Sequence, residues 1–212
     1  MTEEHDRMTR KEEILYAALQ LASDNGIKGV SMTQIADRVG IKAPSLYNHF
    51  KSKDEIIHEM YRLLREQAQK NNRQAPANYA EVFKEKSLEE ILTDSVSTYM
   101  GMLSNRNLLQ FFKVLYSERS TNPTAAKIMV EETERMLAGT RDLFYALAVH
   151  GKISSKDADM AAMTYSLTIH SLIDYRMDQI TAGDESGLGE GNFPVPARIT
   201  DFIKWFSTQI GE

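Results

Sequence analysis

Apolar residues recur at spacings of three and four along most of the chain, and short polar patterns mark where each run begins. Ile14, Leu15, Ala18, Leu21 and Ala22 form one such stripe, the periodicity of a helix buried on one side. Thr9, with Glu12 three residues later, opens it as a capping box, and Asn25-Gly26 stops it. Ser31 and Gln34 open a second helix, which turns Ile35, Ala36 and Val39 inward and ends at Gly40. Ser52 and Glu55 open a further one, with Ile56, Ile57, Met60, Leu63 and Leu64 inward.

Between Gly40 and Ser52 the pattern changes. Pro44 cannot sit inside a helix but suits a first turn, where its missing N–H has no partner to lose. A short helix therefore begins near Ala43-Pro44, with Leu46 and Phe50 four apart on its buried face. At about 100° per residue, Pro44, Ser45 and Asn48 lie broadly opposite Leu46, with Tyr47 and His49 on the flanks. Two short helices joined by a glycine turn and braced by a longer one predict a helix-turn-helix, and its second member can enter a DNA major groove.

Lys70 to Ala80 reads as a polar loop and a boundary. Helical stripes then resume over Ser87–Leu103, Asn107–Tyr116, a long run from Asn122-Pro123 to Val149, and Ser155–Ile180. Thr181 to Pro196 is a glycine- and proline-rich linker, and Ile199, Phe202, Ile203, Phe206 and Ile210 form a last stripe. No strand pattern or internal repeat interrupts the series. The predicted fold is all-α, an N-terminal three-helix helix-turn-helix domain followed by a larger helical domain. The first occupies residues 1–53, compact over 7–53. The helix from Lys53 bridges into the second, residues 54–212.

With 212 residues, 42% of them hydrophobic, the chain can bury a sizeable core. It has no cysteine, which excludes disulfides and thiolate metal sites. No apolar run is long enough to span a bilayer and the polar N-terminus is not a secretory signal, so a cytoplasmic protein is expected. The net charge of −5 is unevenly placed: Arg7 to Lys53 holds eight Lys or Arg against four Asp or Glu, a local excess of +4. A basic segment on an acidic body can bind a polyanion locally. The motifs of enzymes are missing: no G-x-S-x-G, no phosphate-cradling glycine loop, no H-E-x-x-H. No cofactor is expected.

Ile35-Ala36, Gly40-Ile41, Leu46-Tyr47, His49-Phe50 and Lys53 occur in the order and spacing of the DNA-binding domain of the TetR family of transcriptional regulators, which Thr9–Ile56 resembles. The segment is about a quarter of the chain; the rest resembles the family only in its helical pattern. The resemblance implies that the helical body binds a small molecule and forms a homodimer. One departure is Lys42, where the family often has a Ser or Thr cap before the recognition helix.

For DNA, Tyr47, His49 and Lys53 are the candidate phosphate contacts, and Thr33, Lys42, Ala43, Pro44, Ser45 and Asn48 the candidate groove contacts. Asn can bond an adenine edge twice, and Ala and Pro can pack on a thymine methyl. Tyr47 is equally suited to packing on the first helix. For a small molecule, Met100, Leu103, Phe111, Phe112, Tyr116 and Tyr145 are the soft and aromatic candidates, each also readable as plain core. His170 and Asp174, four apart on one helix, could orient a ligand or hold a metal, or simply satisfy one another. The Ser155–Ile180 helix is apolar nearly all round and needs two partners or full burial. Ala161, Tyr165 and Leu172, with Ile199, Phe202 and Phe206, are the candidate dimer seam.

The sequence thus predicts a ligand-responsive regulator, a repressor, that binds a palindromic operator as a homodimer and responds to a largely apolar inducer. The alternative is a ligand-binding or structural helical dimer without operator recognition.

Overall fold

The computed structural model describes residues 8–71, 79–154, 156, 158–184 and 194–211. The described elements are α1 (Arg10–Asn25), α2 (Met32–Val39), α3 (Ala43–Tyr47), α4 (Lys53–Asn71), α5 (Tyr79–Glu85), α6 (Leu88–Leu103), α7 (Arg106–Glu118), α8 (Pro123–Val149), α9 (Ala158–Thr181) and α10 (Ala197–Ile210). Among the described residues there is no strand, only an isolated bridge between Ile153 and Gly211. Among the described residues no helix is long and apolar enough to cross a membrane.

The capping boxes form as their spacing predicts. Thr9, Ser31 and Ser87 each accept from the backbone N–H three residues on, and Glu12, Gln34 and Glu90 reach back. At Ser52 the return bond lands one residue earlier, from the Lys51 N–H to Glu55 Oε2 at 2.6 Å. Gly40 ends α2 in the left-handed region, φ +75°, where a side chain would be strained.

The chain divides into two compact units. The first holds the described residues through Ala68 together with Asn107–Met129, so α7 and the start of α8 join α1–α4. Ile14, Ile27, Ile35, Leu46, Ile56 and Leu64 are all but fully buried, and Tyr61 stacks on Phe111 at 6.5 Å. Polar ties between its helices include Tyr16 to Gln67 at 2.8 Å, Gln110 to Ser23 at 2.7 Å and Thr124 to Asp54 at 2.8 Å.

The second unit holds the described residues of Gln69–Arg106 and Val130–Glu212. Here α10 packs on α6 and α9. Phe144, Tyr165, Phe202 and Phe206 form an aromatic cluster, with Tyr165 and Phe206 centroids 5.5 Å apart. Aromatic rings at such offsets add to the burial of their area. The Tyr165 hydroxyl donates to the Leu92 carbonyl at 3.0 Å.

Two boundaries differ from expectation. Lys70 and Asn71 extend α4, and Tyr79 and Ala80 begin α5, a helix too short for its periodicity to register; the rest of that predicted loop lies outside the described residues. Likewise α9 starts at Ala158 rather than Ser155, which is outside the described residues, as is most of the predicted linker from Thr181 to Pro196.

Candidate nucleic-acid interface and helical body

The short helix α3 is held by its buried face. Leu46 is fully enclosed, Phe50 nearly so, and the Ile41 N–H donates to Ala36 O, which fixes the turn from α2. Lys42 stands at the N-cap and makes no side-chain capping bond, so it is exposed and available to another partner. The opposite face is open. Pro44, Ser45, Tyr47 and Asn48 are exposed, Ala43 and His49 half-buried, and Thr33 on α2 is exposed. Tyr47 is 53% exposed, so a large part of its ring and hydroxyl is open to solvent. The side chains of Ser45, Tyr47, Asn48 and His49 enter no hydrogen bond among the described residues. Their donors and acceptors are free for base edges and phosphates.

Lys53 is half-buried and bonded within the chain. Its Nζ donates to Ile27 O at 2.7 Å and Val30 O at 2.8 Å. Two of its three N–H groups therefore tie α4 to the turn between α1 and α2. The charge of its ammonium made Lys53 a candidate phosphate contact; these bonds leave its third N–H for water or a phosphate.

The residues expected to meet a small molecule fall into both units. In the first, Phe111 and Phe112 are buried beside each other, their centroids 6.4 Å apart, and Tyr116 lies under the Arg119 guanidinium at 4.6 Å. In the second, Met100 and Leu103 are buried on α6, while Thr133 Oγ1 meets His170 Nε2 at 3.2 Å and Asp174 lies 3.9 Å from that nitrogen. Tyr145 corrects the expectation. It is exposed, its hydroxyl bonds Asp159 at 2.9 Å and the Arg141 guanidinium lies 5.7 Å from its ring. Neighbouring helical positions point about 100° apart, and Phe144 takes the inward direction. Among the described residues no group of three or more His, Asp or Glu is arranged to hold a metal.

The expected dimer seam is corrected too. Tyr165, Ile199 and Phe206 are buried within the chain, because α10 occupies the α9 face that carries Tyr165. Ala161, Leu172 and Phe202 are half-buried. The apolar residues left outward on α9 are Met160, Met163, Leu167 and Tyr175, with Trp205 on α10.

Residues 14–60 match the family described as bacterial regulatory proteins, tetR family, and residues 90–185 match the C-terminal domain of AefR-like transcriptional repressors. The chain belongs to the TetR family. Over 54 residues, 26% of this chain and 26% of the relative, it is 41% identical to the HTH-type transcriptional repressor KstR2 of Mycolicibacterium smegmatis. Over 50 residues, 24% of this chain and 23% of the relative, it is 42% identical to the HTH-type transcriptional activator FasR of the same organism. These matches span about a quarter of the length of the curated relatives. A solved TetR-family structure from Mesorhizobium loti MAFF303099 shares the fold over 97% of this chain and 100% of that one, with a TM-score of 0.68 and 21% identity.

Sequence reasoning missed one residue of this TetR-family fold. Glu118, at the end of α7, reads as an ordinary surface charge, yet it is buried with its Oε1 on the Ile27 N–H. No local pattern could have signalled it, since its partner is 91 positions away.

Proposed function

We propose that this TetR-family protein is a DNA-binding transcriptional repressor that acts as a homodimer on a palindromic operator and releases it when a small molecule binds its helical body. The observation that carries the reading is the open face of α3, where Ser45, Tyr47 and Asn48 are exposed with no partner among the described residues. Groove contact comes from Ser45, Asn48, Ala43, Pro44, Lys42 and Thr33, and phosphate contact from Tyr47 and His49. A two-fold dimer presents two such helices roughly 34–36 Å apart, one turn of DNA, or a multiple of that. Repression rather than activation is favoured by the match of residues 90–185 to a repressor domain.

Support for the dimer comes from the outward stripe Met160, Met163, Leu167 and Tyr175 on α9, with Trp205 exposed on α10. Its members recur at helical spacing on one side of α9, the form of an isologous helix seam. Support for a ligand comes from the second unit. Ser166 is 1% exposed and its Oγ has no hydrogen-bond partner among the described residues. It lies one turn before His170, itself one turn before Asp174. An unsatisfied buried hydroxyl costs about 1–3 kcal/mol, which a ligand carrying a polar group on an otherwise apolar frame would offset.

The test is selection of duplexes from a random pool by the purified protein, followed by fluorescence anisotropy on the enriched sequence across a range of salt. A palindromic consensus, bound with a steep salt dependence, is expected. Enrichment of nothing at low salt refutes the regulator and favours a helical dimer without operator recognition.

A further inference from the structure

We infer that Glu118 is a positioning residue for operator recognition, the middle of a hydrogen-bond relay that ties the start of α8 to the turn between α1 and α2. Glu118 is 9% exposed. Oε1 accepts from the Ile27 N–H and from the Lys28 N–H, the latter at 3.4 Å. Oε2 accepts from Asn122 Nδ2 at 2.9 Å. The Asn122 Oδ1, in turn, accepts from the Thr124 N–H at 3.0 Å and the Ala125 N–H at 3.4 Å, and so caps α8.

The turn is thus gripped through both polarities of its backbone. Glu118 holds the N–H of Ile27, and Lys53 holds the carbonyls of Ile27 and Val30. Gly26 leaves room for this: a Cβ there would stand 2.6 Å from Glu118 Oε1, and its φ of +69° already disfavours any other residue. A backbone held at N–H and C=O by opposite charges has little freedom to pivot, since charge-assisted bonds are the short, strong ones. Ser31, directly after this turn, caps α2, and α2 delivers α3 through Gly40. The angle of the DNA-reading helix is therefore set in part by residues of α7 and α8, outside the helix-turn-helix sequence.

The helix α8 begins in the first unit and continues past Met129 into the second. The relay is consequently a covalent and hydrogen-bonded route by which a shift at the α8 N-terminus reaches the DNA reader. This inference rests on the regulator reading, and the experiment separates the two. The probe is the duplex enriched by the wild-type protein. Its Kd and that of a scrambled duplex are measured for wild type, Glu118→Leu and Glu118→Gln at one salt concentration, with folded fraction checked by circular dichroism. Leucine removes both acceptors; glutamine keeps an amide oxygen for Ile27 but turns its NH2 toward Asn122 Nδ2, where the carboxylate accepted.

For Glu118→Leu the ratio of specific to non-specific affinity should fall about tenfold, the order expected for loss of one charge-assisted bond that holds the bound geometry. Scrambled-duplex affinity should stay at its wild-type value, because no phosphate contact is removed. Glu118→Gln should lower the ratio less than leucine does, by about threefold, since it keeps a neutral bond to Ile27 and loses the acceptor for Asn122 Nδ2. A folded Glu118→Leu protein with the wild-type ratio overturns the inference, as does a glutamine variant as impaired as leucine. If Glu118→Leu does not fold, Asn122→Ala decides: a lowered ratio supports the relay and an unchanged one overturns it. Wild-type protein that enriches no sequence sinks the regulator reading, and this inference with it.

Discussion

Replacing Lys53 by methionine distinguishes a lysine that builds the DNA reader from one that touches DNA. Methionine keeps most of the apolar stem and deletes the ammonium, and with it the bonds to Ile27 O at 2.7 Å and Val30 O at 2.8 Å. A hydrogen bond to a charged group contributes about 1.5–3 kcal/mol. Lys53 is half-buried, so water can take over part of what the ammonium supplied. The expected loss is about 1–3 kcal/mol for the pair, read as a lowered urea midpoint with an unchanged m-value. Each phosphate contact contributes about 0.9 to the slope of log K against log salt, so loss of one from each subunit of a dimer would reduce the slope by about 1.8. Here the slope should hold while operator affinity falls with the disturbed turn. A slope reduced by about 1.8 with stability intact would refute the assignment and return Lys53 to the phosphates.

Further outcomes test the remaining assignments. Asn48→Ala and Ser45→Ala should each change the base preferred at one position of each half-site, by about 1–3 kcal/mol of discrimination, in repeated selection; unaltered consensus sequences would remove these residues from the groove. Met163→Glu with Leu167→Glu should give a monomer by light scattering with helical circular dichroism retained, since both side chains are exposed at 44% and their loss leaves the core intact; a persistent dimer would place the seam elsewhere. Ser166→Ala should stabilise the free protein by about 1 kcal/mol by removing a buried hydroxyl without a partner, read by thermal unfolding; a destabilised variant would mean that the hydroxyl is satisfied. Burial pushes the Tyr165 phenol above its ordinary value, with a side-chain bond to Ser95 acting the other way. Its contribution is therefore fully present below the unfolded tyrosine value of about 10 and is lost only as pH rises beyond it, and Tyr165→Phe should flatten that alkaline loss.

The described helices other than α5, and their order, were written in the sequence because the signals that make them are local. Thr9 with Glu12, Ser31 with Gln34 and Ser87 with Glu90 need only three residues of separation to form their boxes. Gly40 needs only its own backbone freedom, and Pro44 only the absence of an N–H. The outward face of α3 followed from the same short-range geometry, since burying Leu46 and Phe50 leaves Ser45 and Asn48 on the other side.

What touches what across distant parts of the chain was not legible. An apolar stripe states that a face is buried, not by which neighbour, so Tyr165, Ile199 and Phe206 read equally well as a seam between subunits or as the α9–α10 core they form. A charged residue states that it needs water or a partner, and only tertiary packing decides which: Lys53 found two carbonyls, and Glu118 found an amide 91 positions away. Local propensity and capping act over one helical turn and therefore sit in the sequence; the pairing of faces and the destination of long charged side chains depend on the whole fold, because many partners are chemically equivalent until the chain has closed around one of them.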